Sequence, residues 1–259
     1  MSGCFFPSDD LAGPLARRMP RALTNTDGEH AVPGTATDSF SRADLERGPS
    51  RPLSGERRWA NAVLYLFEHA GTTWAVKDFR PRSWLIRNLL GRPLIRREAD
   101  GLQRLAGLPG APQGAFRVDA FALAYRFVPG RSLKEFPAAA LSAEFFPTLE
   151  RNLLEMHARA QLVHLDLRNA RNIIVTDAGE PALLDFQTHV GIRWMPGPLR
   201  RFAERVDMAA IYKHWARRSP GNFGPERSAL LGRINRLRPL WVKRGHRYTG
   251  LVREERRKR

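Results

Sequence analysis

Cysteine is nearly absent from this sequence, because Cys4 is the only one among 259 residues. One cysteine excludes a disulfide framework and a thiolate metal site within the chain, and it favours a reducing compartment. Long apolar runs are also missing, since no stretch approaches the roughly 18 residues that a membrane span needs. The N-terminus lacks the basic and then apolar layout of a signal peptide. These absences predict a cytoplasmic protein.

Acidic residues are scarce in the C-terminal third of the chain. Residues 188–259 hold 19 Lys or Arg against 5 Asp or Glu, which accounts for most of the formal net charge of +17. Such a segment attracts nucleic acid, acidic lipid headgroups or a phosphorylated substrate, although a merely solvated arginine-rich face has the same composition. No nucleic-acid-binding motif is present, so we do not expect a nucleic-acid partner. Peripheral contact with an anionic membrane at its inner face, made by the basic residues 253–259, stays as a hypothesis.

Sustained periodicity is missing from residues 1–57, which are rich in Pro, Gly, Ser and charge. We expect this segment to be irregular, and at least its first 35 or so residues to be poorly ordered. Ordered structure is predicted to begin at Trp59. A strand-rich part over residues 58–128 then precedes a helix-rich part over 129–252, with a basic tail at 253–259. This order of elements predicts an α+β fold.

The strand-rich part contains four β-branched or aromatic segments and one helical pattern. Strands are predicted at residues 62–69, 72–79, 115–119 and 121–128. Ala70-Gly71 is the expected turn between the first two. A helix follows Pro81, and its apolar residues keep a spacing of 3.6 from Leu94 to Leu105.

The helix-rich part opens with an apolar stripe from Leu149 to Ala160 that predicts a helix. A short hairpin is predicted next, with strands at residues 173–175 and 182–184 around the turn residues Asp177 to Gly179. From Arg200 onward the pattern is helical and basic.

Four polar residues around this hairpin form the candidate site: Asp166, Arg168, Asn172 and Asp185. Phosphoryl transfer from ATP needs a carboxylate to orient the attacking hydroxyl and a cation to cover the charge that develops on the phosphoryl oxygens. It also needs oxygen ligands that hold Mg²⁺ against the phosphates. An ordinary hairpin with Asp and Asn in its turns is the alternative interpretation, but the ordered set favours the functional one.

The segment from His164 to Asn172, followed by Asp185-Phe186-Gln187, resembles the catalytic loop and D-F-G of the protein-kinase-like superfamily. The resemblance implies a two-lobed fold with a small antiparallel-sheet N-lobe plus one helix, and a helical C-lobe. It implies ATP with Mg²⁺ (or Mn²⁺) and a hydroxyl-bearing acceptor, either protein Ser/Thr or a lipid-linked sugar. Asp166 would orient the acceptor hydroxyl, Arg168 would stabilise the transferred charge, and Asn172 with Asp185 would bind metal. We expect His164 to brace the loop by hydrogen bonding.

Upstream, Ala75-Val-Lys77 looks like the nucleotide-binding lysine of that superfamily, and Glu98 on the next helix is placed to be its ion-pair partner. Residues 127–133 resemble the hinge between the lobes. The implied nucleotide-binding residues are therefore Lys77 and Glu98.

Departures from the family pattern point to an atypical branch. Leu165 stands where regulated protein kinases have arginine, and Gln187 stands where D-F-G has glycine. Only 22 residues separate Asp185 from Asp207, the candidate aspartate that braces the loop from the next helix. This minimal activation segment resembles that of the RIO-type and lipopolysaccharide-core (Kdo/WaaP) kinases.

Two further departures leave alternatives open. The loop is one residue longer than the family pattern, so Asn169 competes with Asn172 for the metal role, and we favour Asn172 because an apolar strand follows it at once. No G-x-G-x-x-G precedes Lys77. A pseudokinase that binds a nucleotide or a partner without turnover is therefore the alternative function.

Residues 84–90 form an amphipathic segment flanked by arginines. Such a segment is typical either of packing inside the protein or of a membrane interface, and we favour packing.

Overall fold

The computed structural model describes residues 39–53 and 61–242. Within them, an antiparallel five-stranded sheet is followed by a mainly helical part, so the predicted α+β class is confirmed. Three predictions concern residues outside these ranges: the start of ordered structure at Trp59, the poor order of the first 35 residues and the basic tail 253–259. None of the helices in the described residues is long and apolar enough to cross a membrane.

The large sheet has the strand order β1-β2-β3-β5-β4. Its strands are β1 (Ser50–Pro52), β2 (Val63–His69), β3 (Thr72–Asp78), β4 (Phe116–Arg117) and β5 (Ala122–Arg126). The predicted turn between β2 and β3 has φ values of +48° at Ala70 and +74° at Gly71, which suit the twist of a tight hairpin. β4 is shorter than predicted because the Asp119 carboxylate accepts a hydrogen bond from the Phe121 N–H at 2.7 Å and closes a turn.

Successive side chains of β3 point to opposite faces of the sheet and enter two different cores. Ala75 belongs to the main core, together with Leu123 and Tyr125 of β5, while Trp74 and Val76 lie in a second core on the opposite face. The main core is covered by helix α3 (Arg92–Arg104), which follows the short helix α2 (Trp84–Ile86) and a π-helical turn at Arg87–Gly91. Lys77 shares the Ala75 face, so it is directed towards α3.

Residues 42–52 correct the prediction of an irregular segment up to residue 57. Helix α1 (Arg42–Arg47) and strand β1 lie there. Ser41 and Asp44 form a reciprocal capping box at the start of α1. A helix of six residues is unstable alone, and this one depends on burial of Phe40 and Leu45 in the second core.

Arg42 ties α1 to the sheet. Its Nη1 lies 2.5 Å from Asp78 Oδ2, and its Nε lies 2.8 Å from Asp119 Oδ2. The Asp78 side chain is only 5% exposed, and the Tyr65 hydroxyl donates to it as well. Asp78 would therefore remain buried without its main counter-charge if Arg42 were removed.

We expect Arg42→Ala to lower the free energy of unfolding by about 3 kcal/mol, because truncating one partner of a buried ion pair leaves the other uncompensated. Arg47→Ala is the matched control, since Arg47 lies on the same helix, is 76% exposed and forms a surface ion pair with Asp44. An exposed pair of this kind contributes about 0.5 kcal/mol. Urea unfolding of the two variants measures both values, and equal losses would contradict the role given to Arg42.

The helical part carries two small sheets and three long helices. The helices are α4 (Phe145–Glu155), α5 (Gly197–Arg218) and α6 (Pro225–Val242). A three-stranded sheet contains β6 (Gly130–Ser132), β8 (Ile173–Thr176) and β9 (Pro181–Leu183), and a two-stranded sheet pairs β7 (Leu162–Val163) with β10 (Val190–Gly191). The predicted hairpin at β8 and β9 is confirmed.

Helix α5 holds the loop after β7 at two points. The buried Asp207 carboxylate accepts hydrogen bonds from the His164 N–H at 2.6 Å and from the Leu165 N–H at 2.7 Å, as the sequence predicts for this aspartate. Two turns further along α5, His214 Nε2 lies 3.0 Å from the Leu167 carbonyl oxygen. A neutral imidazole can donate this bond. Burial, with a smaller effect of Lys213 and Arg218, lowers the pKa of His214 to about 4.

This lowered pKa predicts a pH dependence of stability. Between pH 6.5 and 4 the unfolded chain binds a proton at residue 214 that the folded chain excludes, so stability falls as the pH falls through that window. The difference corresponds to up to about 3 kcal/mol. In His214→Gln, whose amide can donate the same bond, the free energy of unfolding should decrease less between pH 7 and pH 4. Parallel pH curves for the two proteins, from chemical denaturation, would contradict the assignment.

Candidate active site

Lys77 forms a buried ion pair at the end of β3. Its Nζ lies 2.5 Å from Glu98 Oε1, and both side chains are almost fully buried. Glu98 lies on the face of α3 that packs against the sheet, together with Ile95 and Leu102. The ion pair expected from the sequence is therefore present in the structure.

Asp185 is the second partner of Lys77, with its Oδ1 2.9 Å from the ammonium nitrogen. Burial alone would raise the pKa of Asp185, but the Lys77 charge and hydrogen bond, with smaller effects of His164 and Gln187, together lower that pKa below its ordinary value. Burial alone would likewise lower the pKa of Lys77, but Glu98 and then Asp185 raise it above its ordinary value. Lys77 is therefore a fixed cation shared by two carboxylates.

The β8–β9 hairpin places Asp185 beside Asn172. Ile173 pairs with Leu183, and the Leu184 N–H donates to the Asn172 carbonyl oxygen at 2.9 Å. The chain leaves β9 through Asp185 itself, which has a φ of +67°. The left-handed conformation is costly for a non-glycine residue. Here it occurs where the carboxylate turns towards Lys77.

Asp166 and Asn172 face each other across the loop. Asn172 Nδ2 donates to Asp166 Oδ2 at 2.9 Å and to the Asp166 carbonyl oxygen at 3.1 Å. Burial raises the pKa of Asp166 above its ordinary value. A carboxylate with a raised pKa accepts a proton more readily, which suits it to orient or deprotonate a hydroxyl group.

His164 links this loop to the end of the hairpin. Its Nδ1 accepts from the Asp166 N–H at 3.3 Å, and its Nε2 lies 2.9 Å from the Leu184 carbonyl oxygen. The imidazole therefore carries its proton on Nε2, because only that nitrogen faces an acceptor. Its ring also packs against Phe186, with ring centroids 4.6 Å apart. These contacts join the loop to the hairpin, and the bracing role of His164 stays a prediction.

The remaining two candidates lie on the same loop. Asn169 is exposed, and its side chain accepts from the Arg171 N–H at 3.3 Å and donates to Asn172 Oδ1 at 3.2 Å. Asn169 thus supports Asn172, whereas Asn172 is the asparagine next to Asp185. Arg168 lies between Asp166 and Asn169 and is partly buried.

Two residues near Lys77 were missed by the sequence analysis as parts of the site. The Gln187 side chain donates a hydrogen bond to Asp185, although the sequence marked Gln187 only as a departure from D-F-G. Tyr125 pairs with Ala75 across β3 and β5, and burial raises its pKa to about 12. Only the strand pairing identifies Tyr125 as a neighbour of Lys77.

Hydrogen bonds, ion pairs and strand pairing connect six of the predicted residues into one site. Lys77, Glu98 and Asp185 form its charged half, and Asp166 with Asn172 forms its polar half. His164 and the Leu184 backbone connect the halves. Within the described residues, no group of three or more His, Cys, Asp and Glu side chains is arranged around a metal position. The oxygens on offer are those of carboxylates and one amide, which are ligands that Mg²⁺ prefers.

No protein-family model matches the chain, and no curated protein matches it either. Solved structures do. A structure of the Rio2 kinase from Chaetomium thermophilum is 15% identical with a TM-score of 0.50, and the match covers 77% of this chain and 76% of that chain. A Rio2 kinase-ADP/Mg²⁺-phosphoaspartate complex from the same organism is 16% identical with a TM-score of 0.49. That match covers 74% of this chain but only 64% of the other.

At this identity the likeness to the first of these structures shows the fold alone. The predicted resemblance to lipopolysaccharide-core kinases stays a prediction. The chain therefore has a protein-kinase-like two-lobed fold that is similar to the fold of a RIO-type kinase.

Proposed function

We propose that this protein is an ATP-dependent phosphotransferase that moves the γ-phosphoryl group of ATP to a hydroxyl acceptor. The observation that carries the proposal is the position of Lys77. One buried ammonium group contacts both Glu98 of α3 and Asp185 of the hairpin end. A cation that is fixed in this way beside a partly exposed carboxylate suits the phosphates of a nucleotide. The kinase-like fold supports the proposal.

Nucleotide binding is assigned to Lys77, and Glu98 is its positioning residue. The Asp185 carboxylate is 40% exposed, so it can be reached from the cleft, whereas Glu98 is only 2% exposed. Phosphate oxygens would replace Asp185 Oδ1 as a partner of the ammonium group, while Glu98 keeps the Lys77 side chain in place.

Asn172 and Asp185 would hold Mg²⁺ (or Mn²⁺). The Asn172 amide nitrogen donates to Asp166. The Asn172 amide oxygen, which also accepts from Asn169 Nδ2, would then be the metal ligand. Mg²⁺ is usually bound through one or two carboxylates together with substrate phosphates, and this site offers that kind of donor set. The metal, when bound, would neutralise part of the charge on the phosphoryl oxygens.

Asp166 is the catalytic base in this proposal. The acceptor oxygen forms a bond to the γ-phosphorus, the bond from that phosphorus to the bridging oxygen breaks, and the electron pair leaves with ADP. The proton of the hydroxyl group passes to the Asp166 carboxylate, whose raised pKa favours its uptake. Arg168 stabilises the charge on the transferred group. Protein Ser/Thr and a lipid-linked sugar both supply the required hydroxyl.

Asp185→Ala should abolish turnover and leave the fold intact. The expected loss in kcat is at least about 1000-fold, because one part of the phosphoryl-transfer apparatus is removed. Lys77 keeps Glu98 as its partner, so the buried cation is not left uncompensated. The measurement is mass spectrometry of phosphorylated products after incubation with ATP and a fractionated cell lysate. Asp177→Ala is the matched control, since this aspartate is exposed at the other end of the same hairpin.

A folded Asp185→Ala protein with substantial phosphotransfer would refute the metal assignment. Mg²⁺-dependent ATP binding by the natural chain, without any transfer product or ADP, would instead favour the nucleotide-binding pseudokinase.

The two asparagines of the loop give a sharper test. Asn172→Ala should raise the Mg²⁺ concentration needed for half-maximal activity about tenfold or more, because it removes a metal ligand. Asn169→Ala should raise it much less, since Asn169 contacts Asn172 and the Arg171 backbone. Mg²⁺ titrations of ATP turnover measure both effects. The opposite ranking would mean that Asn169 is the metal ligand.

A further inference from the structure

Four large apolar side chains are exposed together between β3 and α3. We call them the Trp84 surface: Trp84 is 65% exposed, Leu85 60%, Leu89 67% and Leu90 45%. They make up four of the eight large apolar side chains that are exposed in the described residues, and they lie within seven consecutive positions. Scattered apolar residues on a surface need no explanation, but a contiguous cluster marks a contact site. The sequence-based preference for internal packing of residues 84–90 is therefore wrong for these four.

The fold explains why they point outward. Ile86 packs against the main core, and Gly91 lies against Phe79 so closely that a Cβ there would be 2.7 Å from the Phe79 Cβ. These two positions hold the helical segment onto the sheet by its inner side. Trp84, Leu85, Leu89 and Leu90 are left on the outer side, where no described part of the chain covers them.

The charges along the segment that carries this surface have one sign. Residues 79–97 contain six arginines and no acidic residue. Arg92 is exposed, and its guanidinium lies 5.6 Å from the Phe121 ring centroid, next to the helical segment. Arg96 is also exposed, one turn further along α3. Two carboxylates lie beside Arg80, and both also bind Arg42. Asp119 Oδ2 is 3.7 Å from the Arg80 guanidinium, and Asp78 Oδ1 accepts the Arg80 backbone N–H at 2.8 Å.

Apolar side chains with exposed arginines next to them match one kind of partner. Trp and Leu partition into the boundary between headgroups and acyl chains, while arginines contact anionic headgroups. We propose that the Trp84 surface is a docking site for an anionic lipid bilayer, with Trp84, Leu85 and Leu89 inserted and Arg92 and Arg96 in the headgroup layer. The occupant is a lipid surface, because an apolar protein partner would not require cations of a single sign. This proposal does not depend on the proposed phosphotransferase activity.

Flotation of the full chain with vesicles tests the docking site. The vesicles are phosphatidylcholine alone or phosphatidylcholine with phosphatidylglycerol. The natural chain should bind the anionic vesicles, and Leu85→Gln/Leu89→Gln should lower the partition coefficient roughly tenfold or more, because two buried apolar side chains are lost. Arg92→Gln/Arg96→Gln should weaken binding most at low salt, since salt screens the headgroup attraction. Leu154→Gln is the matched control, as Leu154 is 52% exposed on α4 and should leave binding unchanged.

Fluorescence supplies a second readout that needs no destabilising change. Trp84 emission should shift to shorter wavelength on addition of anionic vesicles, and Trp84→Phe should remove that shift. Melting temperatures of all variants identify any that fail to fold.

Three results would overturn the proposal. The first is equal binding of Leu85→Gln/Leu89→Gln and the natural chain. If deletion of residues 253–259 then abolished binding, the basic tail and not the Trp84 surface would be the lipid-binding part. The second is equal binding to neutral and anionic vesicles. The third is a change of oligomeric state in Leu85→Gln/Leu89→Gln without loss of lipid binding, which would make the surface an interface between copies of this chain.

Discussion

A single buried ammonium group connects the two parts of this fold. Lys77 lies on the central strand of the sheet and contacts Glu98 of α3 and Asp185 of the β8–β9 hairpin. A buried charge is tolerated only with partners in good geometry, since its desolvation costs several kcal/mol. The sheet, α3 and the hairpin end must therefore adopt positions that satisfy the same ion. The β8–β9 pairing sets Asp185 beside the loop of Asp166 and Asn172, and the shared ion adds Lys77 and Glu98 to that site.

The loop opposite Lys77 is held from outside the cleft. Leu165 has a φ of +65°, a costly conformation for a residue with a side chain, and Asp207 accepts the backbone N–H groups of both His164 and Leu165. The His157 ring in turn contacts Asp207, with 3.2 Å between Nε2 and Oδ2. Because the backbone groups are satisfied by buried residues of the helical part, the side chains of Asp166 and Asn172 are left to bind each other across the loop. Helix packing thus maintains a strained loop that its own sequence would not favour.

Local patterns predicted most of the fold, and the family resemblance predicted one ion pair of the site. The β2–β3 hairpin follows from its turn residues, whereas the Lys77–Glu98 pair is expected from the resemblance to the protein-kinase-like superfamily. The features that the sequence analysis did not predict depend on contacts between residues far apart in the chain. Helix α1 is stable because Phe40 and Leu45 enter the second core, and no six-residue pattern reveals that core. Tyr125 comes close to Lys77 only through the β3–β5 pairing, and His214 reaches Leu167 only because α5 crosses the loop.

The segment before α3 shows why an amphipathic pattern does not distinguish a buried side from a docked one. Its apolar residues occupy more than one side of the helix, and periodicity treats Ile86 and Leu89 alike. The structure separates them through Gly91, whose missing side chain lets the helix sit against Phe79 and so decides which side faces the sheet. Ile86 therefore packs against the main core, whereas Leu89 stays exposed to water. The exposed cluster lies just before the helix that carries Glu98, and Ile86 and Gly91 supply contacts of this segment with the core. A function outside the fold accounts for four exposed apolar residues in a segment whose only charges are arginines.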